Sequence, residues 1–448
     1  MKADVEEEIR RIFDLQFFGI KLGLVNIRRL LNSLGNPQET FHVILVAGTN
    51  GKGSVSSTLA SILREAGHTC GLFTSPHLVR FHERFSVNGE LIGDDALLAH
   101  AGRIWSDLET HRREVDPQGP VPITFFEFAT ALACLDFRER QCDVAVFECG
   151  LGGRLDATNV LSPILDIVTP ISFDHTQYLG NTLTAIATEK AGIFREAVPV
   201  VMAEQEPEAE EALLSACESI GAPAHLAGRD FDVHRDQRGV VFRDNKGELF
   251  PVTTALPGSY QFQNTKVAMA AARLLPERGV AVSDEAILAG PTKVHWPGRL
   301  ETVAQNPTII LDGAHNPAAA SLLVRTLDEQ PCQGRTVGVI SIMADKDTMG
   351  ILRAFAPAFD AVVLTAAQMK RAAPPESLAQ QLADTTGGKM EIHTAEDFDA
   401  ALITARKLVG TEGRIVVCGS LFLVGEARSK LLSESGHGKD GTWVGVRG

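Results

Sequence analysis

The segment Val46-Ala47-Gly48-Thr49-Asn50-Gly51-Lys52-Gly53-Ser54 combines glycines, one lysine and hydroxyls in a single short stretch. Glycines let backbone N–H groups turn toward an anion, and a following helix adds partial positive charge. Lys52 can reach outer phosphates, and Ser54 offers a hydroxyl to Mg2+. The chemistry implied is use of a nucleoside triphosphate. The spacing departs from the usual phosphate-loop pattern, because Val46 stands where that pattern has glycine and Gly53 separates Lys52 from Ser54. A plain glycine turn between strand and helix is the rival reading, so the neighbouring motifs decide.

Glu148 ends an apolar run and is followed by Cys149-Gly150-Leu151-Gly152-Gly153-Arg154-Leu155-Asp156-Ala157. An acid at a strand end beside a phosphate loop is where Mg2+ is usually held. Arg154 and Asp156 read equally as a structural ion pair or as ligand contacts. His175, after Ser172-Phe173-Asp174, falls on the same expected sheet edge and is a candidate metal ligand. Lys190, in Glu189-Lys190-Ala191-Gly192-Ile193, reads locally as a solvated helix lysine beside Glu189. Ser75 is either a helix cap or a hydroxyl near metal. Thr124-Phe125-Phe126-Glu127 is a capping box, an aromatic slot for a flat ring, or both. Asp312 precedes Gly313-Ala314-His315-Asn316-Pro317 and is placed for a nucleotide contact.

The elements that must position these groups follow from hydrophobic patterning. Apolar runs at 42–47, 143–148, 164–171, 198–202, 307–312, 336–342, 361–366 and 414–418 are expected strands, and Ser54–Ala66 and Pro317–Leu327 are expected helices. Their alternation predicts an α/β fold with mostly parallel, doubly wound sheets, whose ligands lie beyond the carboxyl ends of the strands. The expected division is a phosphate-loop domain over 1–296, a smaller Rossmann-like α/β domain over 297–432, and a disordered tail over 433–448. The 448 residues carry 42 Lys+Arg against 56 Asp+Glu, a net charge of −14, which disfavours a nucleic-acid partner. The start of the chain is charged, and no apolar run reaches membrane-spanning length. The seven cysteines are scattered without CxxC pairs and read as thiols of a reducing cytoplasm.

Taken together, these motifs resemble the bifunctional dihydrofolate synthase/folylpolyglutamate synthase family, a branch of the Mur-type ATP-dependent amide ligases. The resemblance rests on the glycine loop, Ser75-Pro76-His77-Leu78, Glu83-Arg84, Phe126-Glu127, Glu148 through Asn159, Asp174-His175 and Glu189 through Ile193. It continues through Leu256-Pro257-Gly258, Gly298-Arg299, Asp312 through Asn316, Asp345-Lys346-Asp347 and Gly425-Glu426.

The resemblance implies that Asn50, Gly51, Lys52, Gly53 and Ser54 hold ATP phosphates, with Asn264, Arg299 and Asp312 as further ATP contacts. It implies that Ser75, Glu148, His175 and Lys190 hold two Mg2+ ions, with Lys190 carbamylated. Leu22, Gly23, Thr124, Phe125, Phe126, Glu127, Leu155, Asp156 and Ala157 would line a pteroate site. Lys52, Lys190 and His175 would be the catalytic set. The substrates implied are dihydropteroate, reduced folates and L-glutamate, handled by a cytoplasmic monomer.

The implied reaction activates a carboxylate as an acyl phosphate, which the amine of glutamate then attacks. A synthase that only extends folate chains, another Mur-type amino-acid ligase and a non-catalytic ATP-binding module are the alternatives. A muramyl-peptide ligase would need a UDP-sugar domain, for which the stretch before the glycine loop is too short.

Overall fold

The computed structural model describes residues 2–15, 23–115 and 123–434. Leu22 and nearly all of the 433–448 tail therefore lie outside the described residues. The chain forms two compact units. The first comprises Met1–Pro76, Phe81–Ala255 and Gln261–His295, and the second His77–Arg80, Leu256–Tyr260 and Trp296–Gly448.

The first unit is built on eight strands: β1 (His42–Ala47), β2 (Cys70–Phe73), β3 (Phe85–Val87), β4 (Glu90–Leu91), β5 (Val144–Glu148), β6 (Pro163–Val168), β7 (Val200–Met202) and β8 (Ala224–Leu226). Their order is β4-β3-β2-β5-β1-β6-β7-β8. From β2 to β8 the pairing is parallel, while β3 and β4 attach antiparallel at one edge. β1 is central because it is apolar on both faces, with every residue from Val43 to Ala47 buried. Register sets Val46 beside Glu148 on β5 and Ala47 beside Val168 on β6. The three strand ends that carry the glycine loop, Glu148 and the run toward His175 are thus neighbours.

The expected strand 164–171 stops at Val168. Pro170 has no N–H to continue a ladder, and the residues beyond Val168 bond to the glycine loop instead. Helix Lys52–Glu65 begins after Gly51, whose φ of 90° suits a residue without Cβ. It packs on helix Gln261–Leu274, and Ser61 donates to the Gly290 carbonyl at 2.8 Å. A separate antiparallel meander, β9 (Phe231–Asp236), β10 (Gly239–Asp244) and β11 (Gly247–Leu249), adds Phe231, Phe242 and Leu249 to the same core.

The second unit holds a six-stranded sheet of β12 (Glu301–Ala304), β13 (Thr308–Leu311), β14 (Thr336–Ile340), β15 (Ala361–Leu364), β16 (Glu391–Thr394) and β17 (Arg414–Cys418). The order is β12-β13-β17-β14-β15-β16, parallel except for β12. Helix Pro317–Glu329 starts with proline in its first turn and Asn316 as cap, whose Oδ1 accepts the Ala319 N–H at 2.9 Å. Segment 77–80 packs here: a Cβ at Gly425 would lie 1.9 Å from the Leu78 carbonyl oxygen, so only glycine fits. Both units are α/β with mostly parallel sheets. Among the described residues no helix is long and apolar enough to cross a membrane.

Candidate active site

The glycine loop is fixed by segment 169–172. The N–H groups of Thr49 and Asn50 donate to the Pro170 carbonyl at 3.0 and 3.2 Å. Thr49 Oγ1 donates to the Ser172 carbonyl at 3.1 Å, and Asn50 Nδ2 to Ser172 Oγ at 3.0 Å. Gly48, at φ 140°, passes so close that a Cβ would meet Thr169 Oγ1 at 1.9 Å. Gly51 caps helix Lys52–Glu65 without any side-chain hydrogen bond. The first turn, Lys52 to Ser54, thus starts without a side-chain cap, the kind of helix start that can offer N–H groups to an anion. Asn264 abuts this turn, since a Cβ on Gly51 would lie 2.5 Å from its Oδ1.

Two lysines converge on the loop. Lys52 Nζ donates to the Gly48 and Thr49 carbonyls at 3.2 and 3.1 Å. Lys190 Nζ donates to the same Gly48 oxygen at 2.6 Å. Lys190 is only 4% exposed, which overturns the solvated-helix reading. Burial first, and then repulsion from Lys52, push its pKa down to about 7, against the pull of Cys149, Asp174 and Asp156. Glu189 turns away to pair with Arg154 at 2.8 Å.

An Arg154–Asp156 ion pair is not formed. Asp156 is buried and binds its own loop: Oδ2 accepts Leu151 N–H at 2.8 Å, and Oδ1 accepts the Thr158 N–H and hydroxyl at 3.0 and 2.6 Å. Burial still holds its carboxyl above the ordinary range, against those bonds. Leu155 is half-buried and Ala157 opens the turn Ala157–Val160. Helix Val25–Ser33, which follows Gly23, packs on that turn.

Glu148 is buried at the end of β5, and its Oε2 accepts the Ser75 N–H at 3.0 Å. His175 takes a left-handed backbone, φ 50°, unusual for a residue with Cβ; its N–H donates to Asp174 Oδ1 at 2.8 Å. Among the described residues no group of three or more His, Cys, Asp or Glu side chains forms a metal centre from protein alone. The donor set suits Mg2+ nonetheless, because that ion takes one or two carboxylates and completes its shell with phosphate oxygens and water.

Thr124 to Glu127 form a capping box: Glu127 N–H donates to Thr124 Oγ1 at 3.3 Å, and Thr124 N–H to Glu127 Oε2 at 2.8 Å. Phe125 stacks on Phe13 with centroids 5.1 Å apart. Phe126 is half-buried beside Gly150, where a Cβ would lie 2.6 Å from its ring. The capping box is thus formed, and the Phe126 ring lies on its first turn. Arg84, to which sequence alone assigned no role, is buried with its guanidinium 5.1 Å from the Phe125 ring centre. Burial lowers its pKa to about 10 against the pull of Glu148.

In the second unit Asp312 lies just past β13. Its carboxylate accepts the Leu300 and Ala314 N–H groups at 3.0 and 2.9 Å. Burial raises its pKa while nearby Arg299 opposes the rise. Asp312 thereby holds the turn that follows Arg299, where Leu300 sits at φ 48°. Glu301 and Arg428 brace the same turn, with Glu301 Oε2 accepting the Gly298 N–H at 2.9 Å and Arg428 Nε at 3.0 Å.

Fold and loop together define a Mur-type ligase: residues 121–272 match the Mur ligase middle domain, and residues 298–421 the Mur ligase glutamate ligase domain. The chain is 36% identical over 424 residues to the dihydrofolate synthase/folylpolyglutamate synthase of Bacillus subtilis, covering 92% of this chain and 96% of that protein. It is 34% identical over 420 residues to the Escherichia coli protein of the same name, covering 94% of each. Among solved structures, Mycobacterium tuberculosis folylpolyglutamate synthase complexed with ADP superposes with a TM-score of 0.88 at 32% identity, over 97% of this chain and 100% of that one. E. coli FolC in complex with DHPP and ADP gives a TM-score of 0.85 at 31% identity, over 96% and 98%. The chain belongs to the dihydrofolate synthase/folylpolyglutamate synthase family.

Proposed function

We propose that this protein joins L-glutamate to 7,8-dihydropteroate and to the γ-carboxylate of reduced folates, using ATP. The observation that carries the reading is the convergence of Lys52 and Lys190 on Gly48, ahead of a helix start without a side-chain cap, with the register that sets Glu148 beside Val46 at the base of the same loop. That arrangement is built for the charge of a triphosphate next to a second anion. Similarity to relatives named for both synthase activities supports the substrate class.

In this reading the substrate carboxylate oxygen attacks the γ-phosphorus of ATP. The bond to the β-phosphate oxygen breaks, and ADP leaves. The glutamate amine then attacks the acyl carbon, loses a proton, and inorganic phosphate departs. The helix N-terminus and Lys52 hold the transferring phosphoryl group. Phe126 and its neighbours, with Leu155 and Ala157, position the flat ring of the acceptor. The first unit is proposed as the nucleotide and pteroate domain, and the second as the glutamate-ligase domain supplying Arg299 and Asp312 as nucleotide contacts. A monomer suffices for this chemistry.

Ser75 and Glu148 would hold one Mg2+, and His175 with Lys190 a second. When bound, the ions would neutralise phosphate oxygens during transfer. Lys190 would serve as a carbamate. Its neutral amine attacks CO2, a C–N bond forms and one proton leaves to water. The remaining N–H can keep the bond to Gly48, while the new carboxylate supplies a hard oxygen donor.

Oxygen-18 in the acceptor carboxylate tests the route. One label should appear in the released phosphate for each amide formed. Unlabelled phosphate would rule out the acyl phosphate.

A further inference from the structure

β6 and β7 pair in parallel as far as Val168 and Met202, and the Ala203 N–H donates to the Val168 carbonyl at 2.9 Å as the last backbone rung. Two polar groups then remain on the outer edge of the departing chain, the Thr169 carbonyl and the Ile171 N–H. Pro170, between them, has no donor. The side chain of Gln205 takes both: its Oε1 accepts the Ile171 N–H at 2.9 Å, and its Nε2 donates to the Thr169 carbonyl at 3.2 Å. A carboxamide presents one acceptor and one donor face in this spacing, so Gln205 extends the sheet ladder past the end of β7.

The segment it grips carries the glycine loop. Thr49 and Asn50 hang by their N–H groups from the Pro170 carbonyl, and by their side chains from Ser172. Thr169 Oγ1 donates to the Ala47 carbonyl at 3.3 Å. The backbone at Gln205 is anchored in turn. Neighbouring Glu204 accepts from Lys266 Nζ at 2.9 Å, and Lys266 also donates to Asp232 at 2.8 Å. Lys266 is 1% exposed and lies on the helix that brings Asn264 to Gly51.

We infer that Gln205 is a positioning residue for nucleotide binding, setting the phosphate loop through residues 169–172 without touching the nucleotide. This rests on the proposal that the loop holds ATP phosphates. A leucine would fill the space and remove both bonds. A glutamate would keep the acceptor, lose the donor, and set a carboxylate against the Thr169 carbonyl.

The test is ADP affinity by titration calorimetry, with steady-state kinetics, on wild type, Gln205→Leu, Gln205→Glu and Lys52→Ala. Loss of the paired bonds should weaken ADP binding about tenfold, equal to ~1.4 kcal/mol. The KM for ATP should rise in step, with the KM for glutamate held near wild type. ADP affinity within twofold of wild type in both Gln205 variants would overturn the inference, even if their melting temperatures fell. Should Gln205→Leu fail to fold, the isosteric Gln205→Glu decides alone. Wild type that does not bind ADP, or Lys52→Ala that binds it equally well, would overturn the loop reading and this inference with it.

Discussion

Lys190 Nζ lies 2.6 Å from the Gly48 carbonyl oxygen, across 142 positions of sequence. Lys52 donates to that same oxygen at 3.2 Å. One backbone carbonyl thus gathers two amines at the start of the glycine loop. Their mutual repulsion, added to burial, explains why Lys190 titrates at about 7. The unfolded chain binds more protons at this site between that value and the ordinary lysine range. This group therefore makes stability rise with pH across that window, and in the folded protein its amine is mostly neutral above about 7.

The neutral amine leads to the first prediction. With 13C-labelled bicarbonate, Lys190 should give a carbamate carbon signal that fades as pH falls below about 7, and that is absent in Lys190→Ala. Activity should fall in carbonate-free buffer and return on adding bicarbonate. An unmodified lysine together with bicarbonate-independent activity would remove the carbamate from the mechanism.

Lys52→Ala should fold normally and lose turnover. Removing a donor to developing charge is typically worth ~3–4 kcal/mol, so kcat should fall by about two to three orders of magnitude. Circular dichroism beside a phosphate-release assay checks both halves, and near-normal kcat would exclude Lys52 from the transferring step.

Gly150→Ala probes the acceptor slot apart from the nucleotide. The added Cβ would lie 2.6 Å from the Phe126 ring, which must move. The KM for dihydropteroate should rise about tenfold, the scale of one misplaced carbon in a fitted pocket, while ADP affinity stays unchanged. An unaltered dihydropteroate KM would detach Phe126 from the acceptor.

Asp166 sits in the middle of β6, fully buried, with neither carboxylate oxygen hydrogen-bonded. Burial lifts its pKa well above the ordinary range, only partly opposed by Arg195. The folded state therefore binds the extra proton, and its contribution to stability is lost as pH rises through the raised value. Asp166→Asn should remove that loss, gaining on the order of 1–3 kcal/mol at pH 8 and almost nothing near pH 4. Thermal melts across that range would show it; identical pH profiles for the two proteins would contradict it.

The central strands were legible because they are apolar on both faces, as Val43 to Ala47 are. The edges were not. β9 to β11 and β16 are half-exposed and carry His234, Arg235 and Glu391 among their apolar residues, so their period is blurred. Local spacing also failed wherever a contact is long-range. Arg154 lies two residues from Asp156 yet pairs with Glu189, because Asp156 is consumed by its own loop. The burial of Lys190 depends on a carbonyl far away in sequence, so its local context resembled a surface lysine. No pattern marks Gln205, since an amide closing a ladder needs only the right place. Segments 77–80 and 256–260 join the second unit through packing, as Leu78 on Gly425 shows.

The most direct test of the account is phosphate release by the purified protein with Mg-ATP and L-glutamate, comparing 7,8-dihydropteroate, tetrahydrofolate and no acceptor. The account predicts glutamate-dependent release with either acceptor and only background without one. Release that ignores both acceptors would contradict it.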